Sequence, residues 1–159
     1  MKIYIRPLRE SDALVSYKWR NDPVVWALTG SRPDRHITHD IELEWIRRVL
    51  QDKTARRFAI CIADTNEYIG NVQLTEISTD DANLHIFIGE KDYWGKGVST
   101  QATGLILRYG FNELNLKNIL LEVNKENLSA IKSYEKNGFK IISTSHKVIK
   151  MQIGASTRR

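Results

Sequence analysis

Tyr93-Trp94-Gly95-Lys96-Gly97-Val98-Ser99-Thr100 is the stretch on which the reading of the fold turns. It joins a strand-like run, Leu84-His85-Ile86-Phe87-Ile88-Gly89, to a segment with Val98, Ala102, Leu105, Ile106 and Tyr109 at helical spacing. A strand that passes through glycines into a helix makes a seat for phosphate. Glycine lets the backbone turn tightly and approach a ligand, and the first helical turn offers unpaired N–H groups at its positive end. Lys96 adds a charge. The spelling departs from two better-known phosphate loops. A P-loop needs four residues between its first glycine and Gly-Lys, then Ser or Thr; here five separate Gly89 from Gly95, and Gly97 follows Lys96. The dinucleotide fingerprint fails at its third glycine, where Thr100 stands. Neither ATP nor NAD is favoured. Taken alone, the motif reads more readily as a glycine-rich turn ahead of an ordinary helix, so a second element is needed.

The rest of the chain bounds the answer. Its 159 residues, 42% hydrophobic and 27% charged, suit one globular domain, expected over residues 1–153 with a polar, basic tail at 154–159. The opening segment is too short and too broken by charge for a signal peptide, and no apolar run reaches membrane-spanning length, so the expected location is cytoplasmic and membrane partners are not expected. With Cys61 alone no intrachain disulfide can form, and four scattered histidines lack ligand spacing, so no metal is expected. A net charge of +5, part of it in tail residues Arg158 and Arg159, suits an anionic ligand. It is a weak argument for nucleic acid, whose binders concentrate charge on one face.

Residues 2–6 alternate and predict a strand halted by Pro7, and Ser11-Asp12 reads as the cap of a helix that Asn21-Asp22-Pro23 ends. Residues 26–35 read as a loop. Thr38 or His39-Asp40 opens a second helix with Ile41, Trp45, Ile46, Val49 and Leu50 on one face. Residues 57–63, 68–77 and 82–90 predict three strands of an antiparallel meander. A helix over 98–112, a strand over 116–123, a helix from Asn127 to Asn137-Gly138 and two last strands, 139–143 and 147–153, complete an α/β (α+β) chain with helices flanking a mixed sheet.

The second element lies in the later helix, where Asn127, Ile131 and Tyr134 recur at i, i+4 and i+7 and set an amide and a phenol on one face. A strand, a glycine turn and helix, another strand, then Asn-x-x-Ala-x-x-x-Tyr-x-x-x-Gly-Phe resembles the GNAT acetyltransferase superfamily over nearly the whole chain. The residues that carry the resemblance are Trp94, Gly95, Lys96, Gly97, Val98 and Ser99, with Asn124, Asn127, Ala130, Tyr134, Gly138 and Phe139. Ile5-Arg6-Pro7-Leu8 and Trp19-Arg20-Asn21-Asp22-Pro23 are similar to the branch with ribosomal-protein N-terminal, polyamine (spermidine) and nucleotide-sugar acetyltransferases. Trp94 stands where many members have Gln or Arg, and Ser99 where Gly or Ala is usual.

The resemblance implies a GNAT-like, mostly antiparallel central sheet with a splayed strand pair, and acetyl-CoA as co-substrate without a metal. It implies pantetheine along Ile86, Phe87 and Ile88 like an added strand. It implies pyrophosphate on the N–H groups of Gly95, Lys96, Gly97, Val98, Ser99 and Thr100, Asn124 among the cofactor contacts, and Asn127 holding the pantetheine or its neighbouring backbone. Tyr134 is expected to donate to the departing thiolate. An alkyl ammonium must lose a proton before it attacks, and His85 and Glu76 are the candidate bases. Trp19, Arg20 and Asn21 are the candidate acceptor contacts. The basic loop Ser31-Arg32-Pro33-Asp34-Arg35-His36 with Arg20 favours a nucleotide-linked amino sugar as acceptor. A protein or peptide N-terminus, a polyamine and a non-catalytic acyl-CoA sensor are the alternatives. Pairing of the last strands with a second copy would give a homodimer.

Overall fold

The computed structural model describes residues 1–29 and 32–156. Gly30 and Ser31 of the expected loop, and the tail residues Thr157, Arg158 and Arg159, lie outside the described residues. The strands are β1 (Ile3–Pro7), β2 (Arg56–Ile62), β3 (Tyr68–Thr75), β4 (Asp81–Ile88), β5 (Asn118–Asn124), β6 (Lys140–Thr144) and β7 (Val148–Gly154). The helices are α1 (Ala13–Asn21), α2 (Pro23–Thr29), α3 (His39–Leu50), α4 (Val98–Arg108) and α5 (Leu128–Lys136). One sheet has the order β1-β2-β3-β4-β5-β7-β6, and neighbours run antiparallel except β4 with β5, which are parallel.

Alternation along the strands builds two apolar layers. Ile60, Val72, Leu84 and Ile119 turn to the face covered by α4 and α5, where Ile106, Leu107 and Ile131 meet them. The opposite face, with Ala59, Cys61, Tyr68 and Phe87, is covered by Trp19 of α1 and Ile46 of α3. A buried carboxylate fastens α1 to α3. Glu42 is 1% exposed and accepts from Ser16 Oγ at 2.7 Å and Arg20 at 2.8 Å, which compensates a charge that would be costly to bury alone.

Three local expectations change. Residues 26–35 are not all loop, because Pro23 opens a helix instead of only ending one. Its fixed φ suits a first helical position, and Asp22 caps the turn by accepting the Val24 N–H at 3.0 Å. Ser11-Asp12 does not cap α1 by its side chains. Asp12 accepts two bonds from Arg6, at 2.9 and 2.8 Å, and one from the Arg9 N–H, which shapes a 3-10 turn ahead of α1. The helix from Val98 stops at Arg108 and continues as a π turn, Tyr109–Glu113, in which Gly110 lies against Ile119. At the chain end, Gly154 still belongs to β7 and Ala155 donates to the Lys117 carbonyl. Among the described residues no helix is long and apolar enough to cross a membrane.

Candidate active site

The parallel pair β4 and β5 touches only at its start. Asp81, Ala82 and Asn83 pair with Asn118, Ile119 and Leu120, and beyond that point the two strands part. The orientation of the freed edge follows from the neighbouring strand. Gly89 N–H bonds the Ile69 carbonyl on β3 at 2.8 Å, and strand alternation then turns the N–H and C=O groups of Ile86 and Ile88 into the gap, with Phe87 directed to β3. Trp94 takes one of these groups: its indole N–H donates to the Ile88 carbonyl at 2.8 Å and holds the loop against the strand end.

At the mouth of the gap the glycine turn enters α4. Gly95 (φ 74) and Gly97 (φ 78) are left-handed, and a Cβ added to either would find nothing within 4 Å, so the space above them is open. The first N–H of the region to find an acceptor is that of Gln101, bonded to the Gly97 carbonyl. From Gly95 through Thr100, therefore, the successive N–H groups have no acceptor among the described residues. Exposed Lys96 stands among them. A row of free donors at a positive helix end fits a pyrophosphate.

The far wall is α5, fastened to α4 by Thr100 Oγ1 to Ser133 Oγ at 2.8 Å and by Asn137 to the Thr100 carbonyl at 3.2 Å. Asn127 caps α5 with its Oδ1, on the Ala130 N–H at 3.3 Å, and its amide nitrogen has no hydrogen bond among the described residues. Asn124, exposed, accepts from the Glu126 N–H. Tyr134 packs edge-on against Phe139 and its hydroxyl has no partner among the described residues. Burial pushes its pKa up to about 12, so the phenol keeps its proton across the working range.

On the α1/α3 face, Trp19 is 4% exposed, packed at a tilt against Tyr68 and edge-on against Phe87, and its indole donates to Glu90 at 2.7 Å. Asn21 exchanges bonds with the backbone of Ile37 and so sets the approach to α3. Arg20 lines a recess of about 200 Å³ with Arg35, Trp45 and Arg48, while paired with Glu42. His85 is exposed, its Nε2 lying 3.1 Å from Thr75 Oγ1; partial desolvation and then the charge of Arg57 lower its pKa, against Glu76 and Glu122. Glu76 accepts from Asn83, at the closed end of the gap. Glu90 stands directly after the strand end with Trp19. Its position depends on a contact 71 residues away, which spacing does not reveal.

A family model described as an acetyltransferase (GNAT) domain matches residues 2–140. The spermidine N(1)-acetyltransferase of Escherichia coli K12 is 32% identical over 142 residues, covering 87% of this chain and 73% of that protein. A crystal structure of spermidine N-acetyltransferase from Vibrio cholerae in complex with CoA and spermine superposes with a TM-score of 0.85 at 27% identity, covering 98% of this chain and 97% of that one. A dodecameric structure of the Vibrio cholerae enzyme in an intermediate state gives 0.78 at 25% identity, covering 97% and 94%.

Proposed function

The chain belongs to the GNAT acetyltransferase family and is an acetyl-CoA-dependent N-acetyltransferase; from that premise we propose that it acetylates a small primary amine by direct attack, the amine reaching the β4/β5 gap from the α1/α3 face. The observation that most supports this reading is the run of free N–H groups at residues 95–100 beside unpaired strand edges.

In this reading the N–H groups from Gly95 to Thr100 and Lys96 hold the pyrophosphate. The edge groups of Ile86 and the N–H of Ile88 receive the pantetheine amides, and the free amide of Asn127 is a further donor. When bound, acetyl-CoA supplies the acetyl group already activated as a thioester. Tyr134, protonated throughout, hydrogen-bonds the departing sulfur. A thiol with a pKa near ~8.5 needs this help less than an alcohol would. His85 is neutral at pH 7 and can take the ammonium proton through water, while Glu90 adds an acceptor by Trp19.

The named relatives support a polyamine acceptor. The nucleotide-linked amino sugar draws its support from Arg35 and Arg48 beside Trp45 in the recess, which Asp34 and Glu44 also line. The outer strand β6, with Ile141 and Ile142 about half exposed, supports assembly with further copies of the chain. The test is thiol release from acetyl-CoA with spermidine, spermine, a nucleotide-linked amino sugar, peptides and aminoglycosides. Turnover with one class is the expected result. Tight CoA binding without release across the panel would overturn the catalytic reading and leave an acyl-CoA sensor.

A further inference from the structure

Arg57, the second residue of β2, lies on the α1/α3 face of the sheet. The register sets Arg57 opposite Gln73 and Gln73 opposite His85, so the three lie in one row across β2, β3 and β4. Two strand spacings put Arg57 about 10 Å from the backbone of His85, within the length of a small acceptor whose amine lies at the gap. The guanidinium lies 5.6 Å from the Trp45 ring centre. Its Nε is buried without an acceptor, and among the described residues its side chain has neither hydrogen bond nor ion pair.

Several of the cations on this side of the sheet are already paired. Arg6 is paired with Asp12, Arg20 with Glu42, Arg47 with Glu10 and Lys91 with Asp22. Arg56, next in sequence, bonds the carbonyls of Lys53 and Ala55. Asp52, the carboxylate that acts on Arg57, is held by Thr54 through both the backbone N–H and Oγ1. A partly desolvated planar fork with open donors is prepared for a planar or tetrahedral anion.

We propose that Arg57 is an acceptor-binding residue that receives an anionic group, phosphate or carboxylate, carried by the same molecule as the amine. This rests on the reading that the acceptor approaches from the α1/α3 face. A bare polyamine has no such group and meets a fixed positive charge in its path. The inferred acceptor class therefore differs from the polyamines of the named relatives.

The experiment compares wild type, Arg57→Gln and Arg57→Lys with matched acceptors: glucosamine, glucosamine 1-phosphate, a nucleoside-diphosphate amino sugar, a zwitterionic amino acid and spermidine. For a phosphorylated acceptor, Arg57→Gln should raise KM about ten- to a hundredfold with kcat nearly unchanged, and Arg57→Lys should recover part of the loss. A larger effect on the amino acid than on the sugar phosphates would identify the anion as a carboxylate. Calorimetry on CoA-saturated protein gives a second readout without turnover: anionic acceptors should bind wild type and lose affinity in Arg57→Gln, with CoA affinity unchanged as the control for folding. Equal binding of anionic acceptors by wild type and Arg57→Gln, or spermidine used by wild type at least as well as any anionic acceptor, would overturn the proposal. Absence of thiol release with every amine would count against the catalytic reading instead, and the calorimetric comparison would still decide Arg57.

Discussion

Replacing Gly97 by alanine separates the two jobs of the glycine turn, its own folding and the presentation of donors. Gly97 has φ 78 and ψ 7, and an added Cβ meets nothing within 4 Å, so the substitution carries backbone strain without a clash. An L-residue held in this region costs about 1–2 kcal/mol. For a domain of this size each kcal/mol lowers Tm by roughly 2–4 °C, so the expected fall is about 2–8 °C. The effect on CoA should be larger in proportion. Either the backbone relaxes to negative φ and the N–H groups of Gly97 and Val98 turn away, or it holds and a methyl group enters the open space beside them. Losing one charge-assisted bond of about 1.5–3 kcal/mol weakens binding by roughly ten- to a hundredfold. Differential scanning calorimetry and CoA titration of the same preparation measure both terms. An unchanged CoA affinity alongside the predicted fall in Tm would refute the reasoning, since the turn would then serve the fold alone.

Tyr134→Phe should lower kcat by about ten- to a hundredfold, at the modest end of acid catalysis because a thiolate leaves readily, and CoA titration should show affinity within about threefold of wild type. For His85, the lowered pKa places the acid limb of kcat/KM below about pH 6.5, and that limb should be absent from the pH profile of His85→Gln. The same shift has a sign for stability: its contribution is present above the unfolded pKa of about 6.5 and is lost as pH falls from there through the folded value, so His85→Gln should flatten this part of the Tm–pH curve. Gly89→Ala should cost about 3 kcal/mol or more, because the new Cβ would lie 2.0 Å from Trp19 Cδ2; a fall in Tm below about 2 °C would mean that the indole has room to move.

The sequence by itself determined the order of the strands, of the helices other than α2, and the position of the glycine loop. The helical spacing marked α4 and α5, runs bounded by polar turns marked the meander, and Gly95 and Gly97 marked a tight turn, which the structure holds at positive φ. These are local properties, carried by neighbours within a few positions. Pro23 was legible as a helix end and illegible as a helix start, because the same residue serves both and the Asp22 cap decides between them. Only the tertiary structure decided what depends on partners far along the chain. It set where β4 leaves β5, which edge groups of Ile86 and Ile88 open into the gap, and that Trp19 faces Gly89 and Glu90. It also placed Arg57, an unexceptional letter near the start of a strand, in one row with Gln73 and His85 and left its buried Nε without a hydrogen-bond partner. Strand register and helix docking bring these groups together through burial of the whole core. The chemistry of the acceptor face therefore rests on distances that no spacing in the sequence encodes.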